Sequence, residues 1–143
     1  MDVNFEDVIN KPVAEVFEAI VNPTHMAHYF ISGADSPLVA GHTVNWEFAD
    51  VGATVAVKVI DIQPDKRIVL EWHASGADTR VEISLSPLKA GKTAINITES
   101  GWPMDEAGVA KALQQAIGWT DFCCCLKAYL LFGVNLRAGI KVS

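Results

Sequence analysis

The sequence predicts an α+β domain: a curved antiparallel sheet of about six strands around a long C-terminal helix, with one or two short helices after the first strand. Three observations predict it. Apolar residues alternate at period two in a segment near the start and in five further segments between residues 43 and 100. Turn residues separate those five at short intervals, the pattern of an antiparallel meander and not of parallel βαβ units. Beyond Gly101 the apolar period becomes helical as far as Gly133.

The first segment alternates Val3, Phe5 and Ile9 with Asn4, Glu6 and Asn10, apart from Asp7 and Val8, and reads as a strand. Pro12 suits the first helical position, Val13, Val16, Phe17 and Ile20 share one helix face, and Asn22-Pro23 ends that helix. Thr24 to Phe30 reads as another short helix, followed by a loop through Gly33, Asp35, Ser36, Pro37 and Gly41. In the meander, single parities hold Val44, Trp46 and Phe48; Ile68, Leu70 and Trp72; Val81, Ile83 and Leu85; and Ile95 and Ile97. Between Ala53 and Ile62 the apolar parity switches at Val59 and Ile60, which predicts a β-bulge that would help the sheet curl. Turns are expected at Gly52, Pro64-Asp65, Ser75-Gly76 and Lys89-Ala90-Gly91.

In the final helix Asp105 is the expected N-cap and Gly133 the expected C-cap, with a kink expected at Gly118. Leu113, Ala116 and Ile117 mark one face before Gly118, and Trp119, Phe122, Cys123, Leu126 and Leu130 mark a sheet-facing stripe after it. Cys124, Ala128 and Leu131 form a second apolar stripe on the opposite side, which points to a homodimer. Scattered exposure, or cover by the chain's own loops, accounts for the same stripe.

The length of 143 residues suits one domain over 1–143. No apolar run is long enough to span a bilayer and no secretory pattern opens the chain. A net charge of -6 spread along the sequence disfavours nucleic acid and anionic membrane as partners. Cys123, Cys124 and Cys125 are adjacent, a spacing that suits neither a disulfide framework nor a zinc site, so a reducing, cytoplasmic setting is expected.

Several segments carry a resemblance to a known family. Lys11 to Phe17, Asn22-Pro23, Tyr29-Phe30, Thr98 to Trp102, Gly118 to Phe122, Leu126 to Leu130 and Gly133 together resemble the START/polyketide-cyclase-like (SRPBCC) superfamily, and within it the activator of heat shock protein 90 ATPase homologue group. The resemblance covers nearly the whole chain and departs at Cys123-Cys124-Cys125, where the family more often has leucines and polar residues. It implies the helix-grip fold and a cavity between sheet and helix that holds a small hydrophobic ligand. The motifs are mostly structural, so they speak to fold more than to activity.

Candidate ligand-binding residues are Tyr29, Trp46, Phe48, Trp72, Trp119 and Phe122, whose aromatic surface suits an apolar ligand or a core, Cys123 on the same helix stripe, and His28 and Glu99 as polar groups that could orient a ligand. Glu99 shares the parity of Ile95 and Ile97, so it points inward if the strand continues, where a carboxylate must be paired or protonated. If the strand stops at Thr98, Glu99 is instead solvated or caps backbone. His28, Tyr29 and His73 are its possible acid or base companions. His25 and His28 share a helix face but lack a third ligand nearby, so no metal is expected. Nucleophile-elbow, phosphate-loop and dinucleotide motifs do not occur, and no cofactor is expected. Three functions stay open: a non-catalytic carrier or sensor of a small apolar molecule; a cyclase, dehydratase or hydrolase using pocket acid and base groups; and a chaperone-associated or other protein-binding module.

Overall fold

The structure, a computed structural model, describes residues 1–138; the last five residues of the expected domain lie outside it. The elements run β1 (Asp2–Ile9), α1 (Val13–Val21), α2 (Pro23–Met26), β2 (Gly33–Ala34), β3 (Thr43–Phe48), β4 (Ala53–Gln63), β5 (Arg67–Trp72), β6 (Thr79–Leu88), β7 (Lys92–Ser100) and α3 (Glu106–Phe132). They form one antiparallel sheet in the order β1-β7-β6-β5-β4-β3-β2, with the two ends of the chain's strand sequence brought together as β1 pairs with β7. The sheet has seven strands, one more than expected. The addition, β2, lies in the segment read as loop, where Gly33 and Ala34 pair with Glu47 and Trp46, too short a stretch to show an alternation.

Alternation places the core. Val44 and Trp46, Val57 and Val59, Ile68, Leu70 and Trp72, Val81 to Leu85 at every second position, and Ile95 and Ile97 are buried beneath α3 and α1. The sheet register shifts between Val59 and Asp61, the bulge that the parity switch predicts. In β1 the irregular pair is explained by its partner: Asp7 points inward and accepts a hydrogen bond from Lys127 Nζ of α3 at 2.6 Å, while Val8 points out. That ion pair ties the helix to the first strand.

Pro12 is the N-cap of α1 rather than its first residue, and the short second helix spans four residues, fewer than expected, with Asn22 capping it by accepting from Thr24 N. Asp105 caps α3 by accepting from the Gly108 amide at 2.7 Å, and Gly133 ends it in the left-handed conformation. α3 is continuous over 27 residues, without the kink expected at Gly118. One glycine costs a helix only about 1 kcal/mol, which the packing on both sides of it outweighs. The face that Leu113 and Ile117 mark is turned outward. They are 61% and 70% exposed, and the buried positions of the helix before Gly118 are Gly108 and Ala112.

Candidate functional site

Five aromatic side chains form a closed circuit between sheet and helix. Phe30 meets Trp46 edge to face at a centroid distance of 6.1 Å, Trp46 meets Trp72 at 6.0 Å, and Trp72 stacks on Trp119 at 5.7 Å. Trp119 meets Phe122 at 5.4 Å, and Phe122 returns to Phe30 at 4.8 Å. Period-two alternation aims Trp46 and Trp72 from neighbouring parts of the sheet, and helical spacing aims Trp119 and Phe122 from α3. Phe48 closes on the outer side of Phe30 at 5.3 Å. Each such pair adds about 0.5–1.5 kcal/mol beyond its buried area.

Glu99 stands behind this circuit. Strand β7 continues through Ser100, so the parity holds and the residue is fully buried. Its Oε2 accepts from Trp72 Nε1 at 3.0 Å, from Thr79 Oγ1 at 2.5 Å and from Gln115 Nε2 at 3.3 Å. Its Oε1 accepts from Trp119 Nε1 at 2.9 Å and from Gln115 Nε2 at 3.0 Å. The sheet register sets this geometry by placing Val81 opposite Glu99 and Trp72 opposite Thr79. Indole and amide N–H groups can only donate, so they match the acceptor-only carboxylate, whose lone pairs are all engaged. Glu99 is therefore a fixed acceptor that orients two indoles, and it has no lone pair left to take a proton from a bound molecule.

A cleft of about 250 Å³ opens on the outer side of the circuit. Phe30, Phe48, Trp72 and Trp119 give it aromatic walls, Val51, Ala53, Val55 and Ala74 line the sheet side, and Gln115 and Gly118 line the helix side. With both indole N–H groups turned onto Glu99, the tryptophans offer the cleft their apolar surface. Gln115, whose Nε2 is committed to Glu99, has its carbonyl oxygen left as a polar point of contact.

Of the sequence-predicted residues, Trp46, Phe48, Trp72, Glu99, Trp119 and Phe122 come together here. Tyr29 is buried against Phe122 and donates its hydroxyl to the Ala19 carbonyl at 2.8 Å; burial holds its pKa well above the usual tyrosine value. His28 is exposed and stacks on Tyr129, away from Glu99. His25 Nδ1 is 2.7 Å from the Tyr129 hydroxyl, and His73 Nδ1 is 2.7 Å from Asp78 at the exposed end of the sheet. The acid and base companions considered for Glu99 are thus dispersed.

Cys123 is fully buried on the side of α3 near Asp7, outside the cleft lining, whereas Cys124 faces out. Burial, followed by the Asp7 charge, pushes the Cys123 thiol up to about 12. No group of three or more His, Cys, Asp or Glu side chains suited to a metal ion occurs among the described residues.

Sequence reading missed Thr79 and Gln115. Both had a signal: Thr79 shares the inward parity of Val81, and Gln115 precedes Trp119 by one helical turn.

Comparison with known proteins agrees with this architecture. Residues 10–130 match the family model described as activator of Hsp90 ATPase homolog 1-like protein. No curated protein matches. Protein SSP2350 from Staphylococcus saprophyticus is 27% identical, with a TM-score of 0.84 over 99% of this chain and 100% of that one. DynU16, a protein of the dynemicin biosynthetic locus, is 25% identical with a TM-score of 0.82; the match covers 93% of this chain and 48% of DynU16. The Aha1 dimer from Colwellia psychrerythraea is 19% identical with a TM-score of 0.79, over 93% and 98% of the two chains, and shares the fold.

Proposed function

Because the chain belongs to the activator of Hsp90 ATPase homolog 1-like family, whose match here is one of fold more than of chemistry, we propose that it acts through its aromatic cleft as a non-catalytic carrier or sensor of a small hydrophobic ligand. The observation that carries the reading is the commitment of both indole N–H groups to Glu99, which leaves an apolar recess of about 250 Å³ beside them. That volume lies just below the ~300–1,000 Å³ of typical ligand pockets, so the ligand is small, of the size of one or two fused rings. The same saturation of Glu99, with the histidines dispersed, favours carriage over acid–base catalysis.

A homodimer joined through the outward face of α3 belongs to this proposal. It is supported by the exposure of Leu113, Ile117 and Cys124, with Ala128 and Leu131 half-buried beyond them. A cytoplasmic setting is supported by the three adjacent cysteines, which are unsuited to bridging one another.

Native mass spectrometry of freshly purified protein, compared with the same sample denatured, tests the ligand and the dimer together. The expected result is a reproducible small-molecule mass excess lost on denaturation, and a weaker excess in Gly118→Leu, whose side chain enters the cleft mouth. Absence of an excess, joined to no thermal shift with a panel of small aromatic compounds, would overturn the reading and turn attention to protein partners.

A further inference from the structure

We propose that Arg137, which lines a neighbouring recess with Phe30 and Asp50, is an ionic clasp at the edge of the aromatic cleft and governs entry to it; the inference rests on the reading of that cleft as a ligand site. Two exposed residues of the cleft lining are Val51, in the turn between β3 and β4, and Gly118, on α3. Asp50 immediately precedes Val51, and Asp121 lies one helical turn beyond Gly118. Arg137 joins these two acids. Its Nη2 donates to Asp50 Oδ2 at 2.6 Å and its Nη1 to Asp121 Oδ2 at 3.4 Å. Its guanidinium carbon also stands 5.7 Å from the centre of the Phe30 ring, a third wall of the cleft. One side chain thus spans a sheet turn, a helix and an aromatic wall.

Local structure delivers the arginine to that place. Gly133 turns the chain back at the end of α3, and Asn135 Oδ1 accepts from the Arg137 amide at 3.0 Å, which fixes the turn carrying it. The Arg137 side chain is only 17% exposed, against 26% for Asp50 and 34% for Asp121. A planar guanidinium can address two carboxylates on different elements while lying over a ring, which an ammonium cannot do. Both carboxylates keep contact with solvent, so salt screens the two pairs, and the clasp holds the turn and the helix together yet opens when it is screened.

Acrylamide quenching of tryptophan fluorescence reads the mouth without any ligand, since Trp72 and Trp119 form its inner wall. The expected result is a quenching constant about twofold or more higher in Arg137→Gln and in Asp50→Asn, with Arg137→Lys between them and wild type. Sodium chloride at ~0.5 M should raise the wild-type constant towards that of Arg137→Gln and leave the variant unmoved. Equal quenching in wild type and both neutral variants at low and high salt would overturn the clasp. Asp50→Asn, a change in an exposed turn, keeps the test alive if Arg137→Gln fails to fold. Stopped-flow mixing with naphthol adds the second arm: faster association and dissociation in the variants support a gate, and identical rates refute it. Raised quenching without naphthol binding to any of the proteins would leave the clasp standing and remove the ligand reading alone.

Discussion

Glu99 is one carboxylate serving four donor side chains at full burial, and its removal tests that arrangement directly. Glu99→Gln turns an amide N–H₂ towards groups that now donate to a carboxylate, two of them indoles that can only donate, and should cost about 1–3 kcal/mol in urea unfolding, the usual penalty for a buried donor left unsatisfied. Glu99→Ala strands two indoles, a hydroxyl and an amide together and should cost more. Stability unchanged in both variants would show that the carboxylate is not the hub. Cys123 gives a pH prediction: with its thiol pushed from 9.0 to about 12, the folded state resists ionisation that the unfolded chain permits. This contribution is fully present below pH about 9 and is lost as pH rises through about 12, so the urea midpoint should fall across that window and recover partly in Cys123→Ser. At this scale the sequence disclosed the parity of Glu99 but not its partners. Trp72, Thr79, Gln115 and Trp119 converge from two strands and a helix, and only tertiary register makes them neighbours.

Helix α3 contains two glycines with opposite constraints. A Cβ on Gly108 would fall 1.9 Å from the Pro103 carbonyl oxygen, so that glycine is what lets the preceding loop lie against the first helical turn. Gly108→Ala should therefore destabilise by more than ~2 kcal/mol, a cost expected when backbone has to move. At Gly118 a Cβ meets nothing within 4 Å, and Gly118→Ala should stabilise the helix by up to about 1 kcal/mol while narrowing the cleft mouth. Thermal unfolding that moved both variants in the same direction would contradict this contrast. The two positions also show what periodicity conveys about an element. Caps and stripes of α3 were readable from Asp105, Gly133 and the Trp119-to-Leu126 spacing. Gly118 was misread as a kink because propensity acts on one turn, whereas the burial of Ala112, Trp119, Phe122 and Cys123 holds the whole element straight. The face marked by Leu113 and Ile117 turns out to be exposed, because apolar spacing alone does not say which stripe meets the sheet.

For the whole molecule, the meander, its bulge and the covering helix were legible because each follows from a period of two or 3.6 that burial enforces. Strand β2 was not, since two residues carry no period. The cleft was only half legible: its aromatic walls come from alternation, but whether aromatics fill a core or border a void depends on how far α3 stands from the sheet. In the assembled chain they do both, with five rings closing on themselves and a recess left outside them. If two copies join through α3, Ile117→Lys should shift the sedimentation coefficient to that of a monomer at micromolar concentration, and an unchanged value would place any association elsewhere.

The binding role of the cleft is tested most directly by titrating 15N-labelled protein with naphthol and following the four tryptophan indole N–H signals. A ligand-binding cleft should give saturable shifts at Trp72 and Trp119, whose indoles wall it, and none at Trp102, whose Nε1 donates to Ser75 Oγ. Indole signals that stay fixed throughout, or that drift together without saturating, would contradict a cleft that binds small apolar molecules.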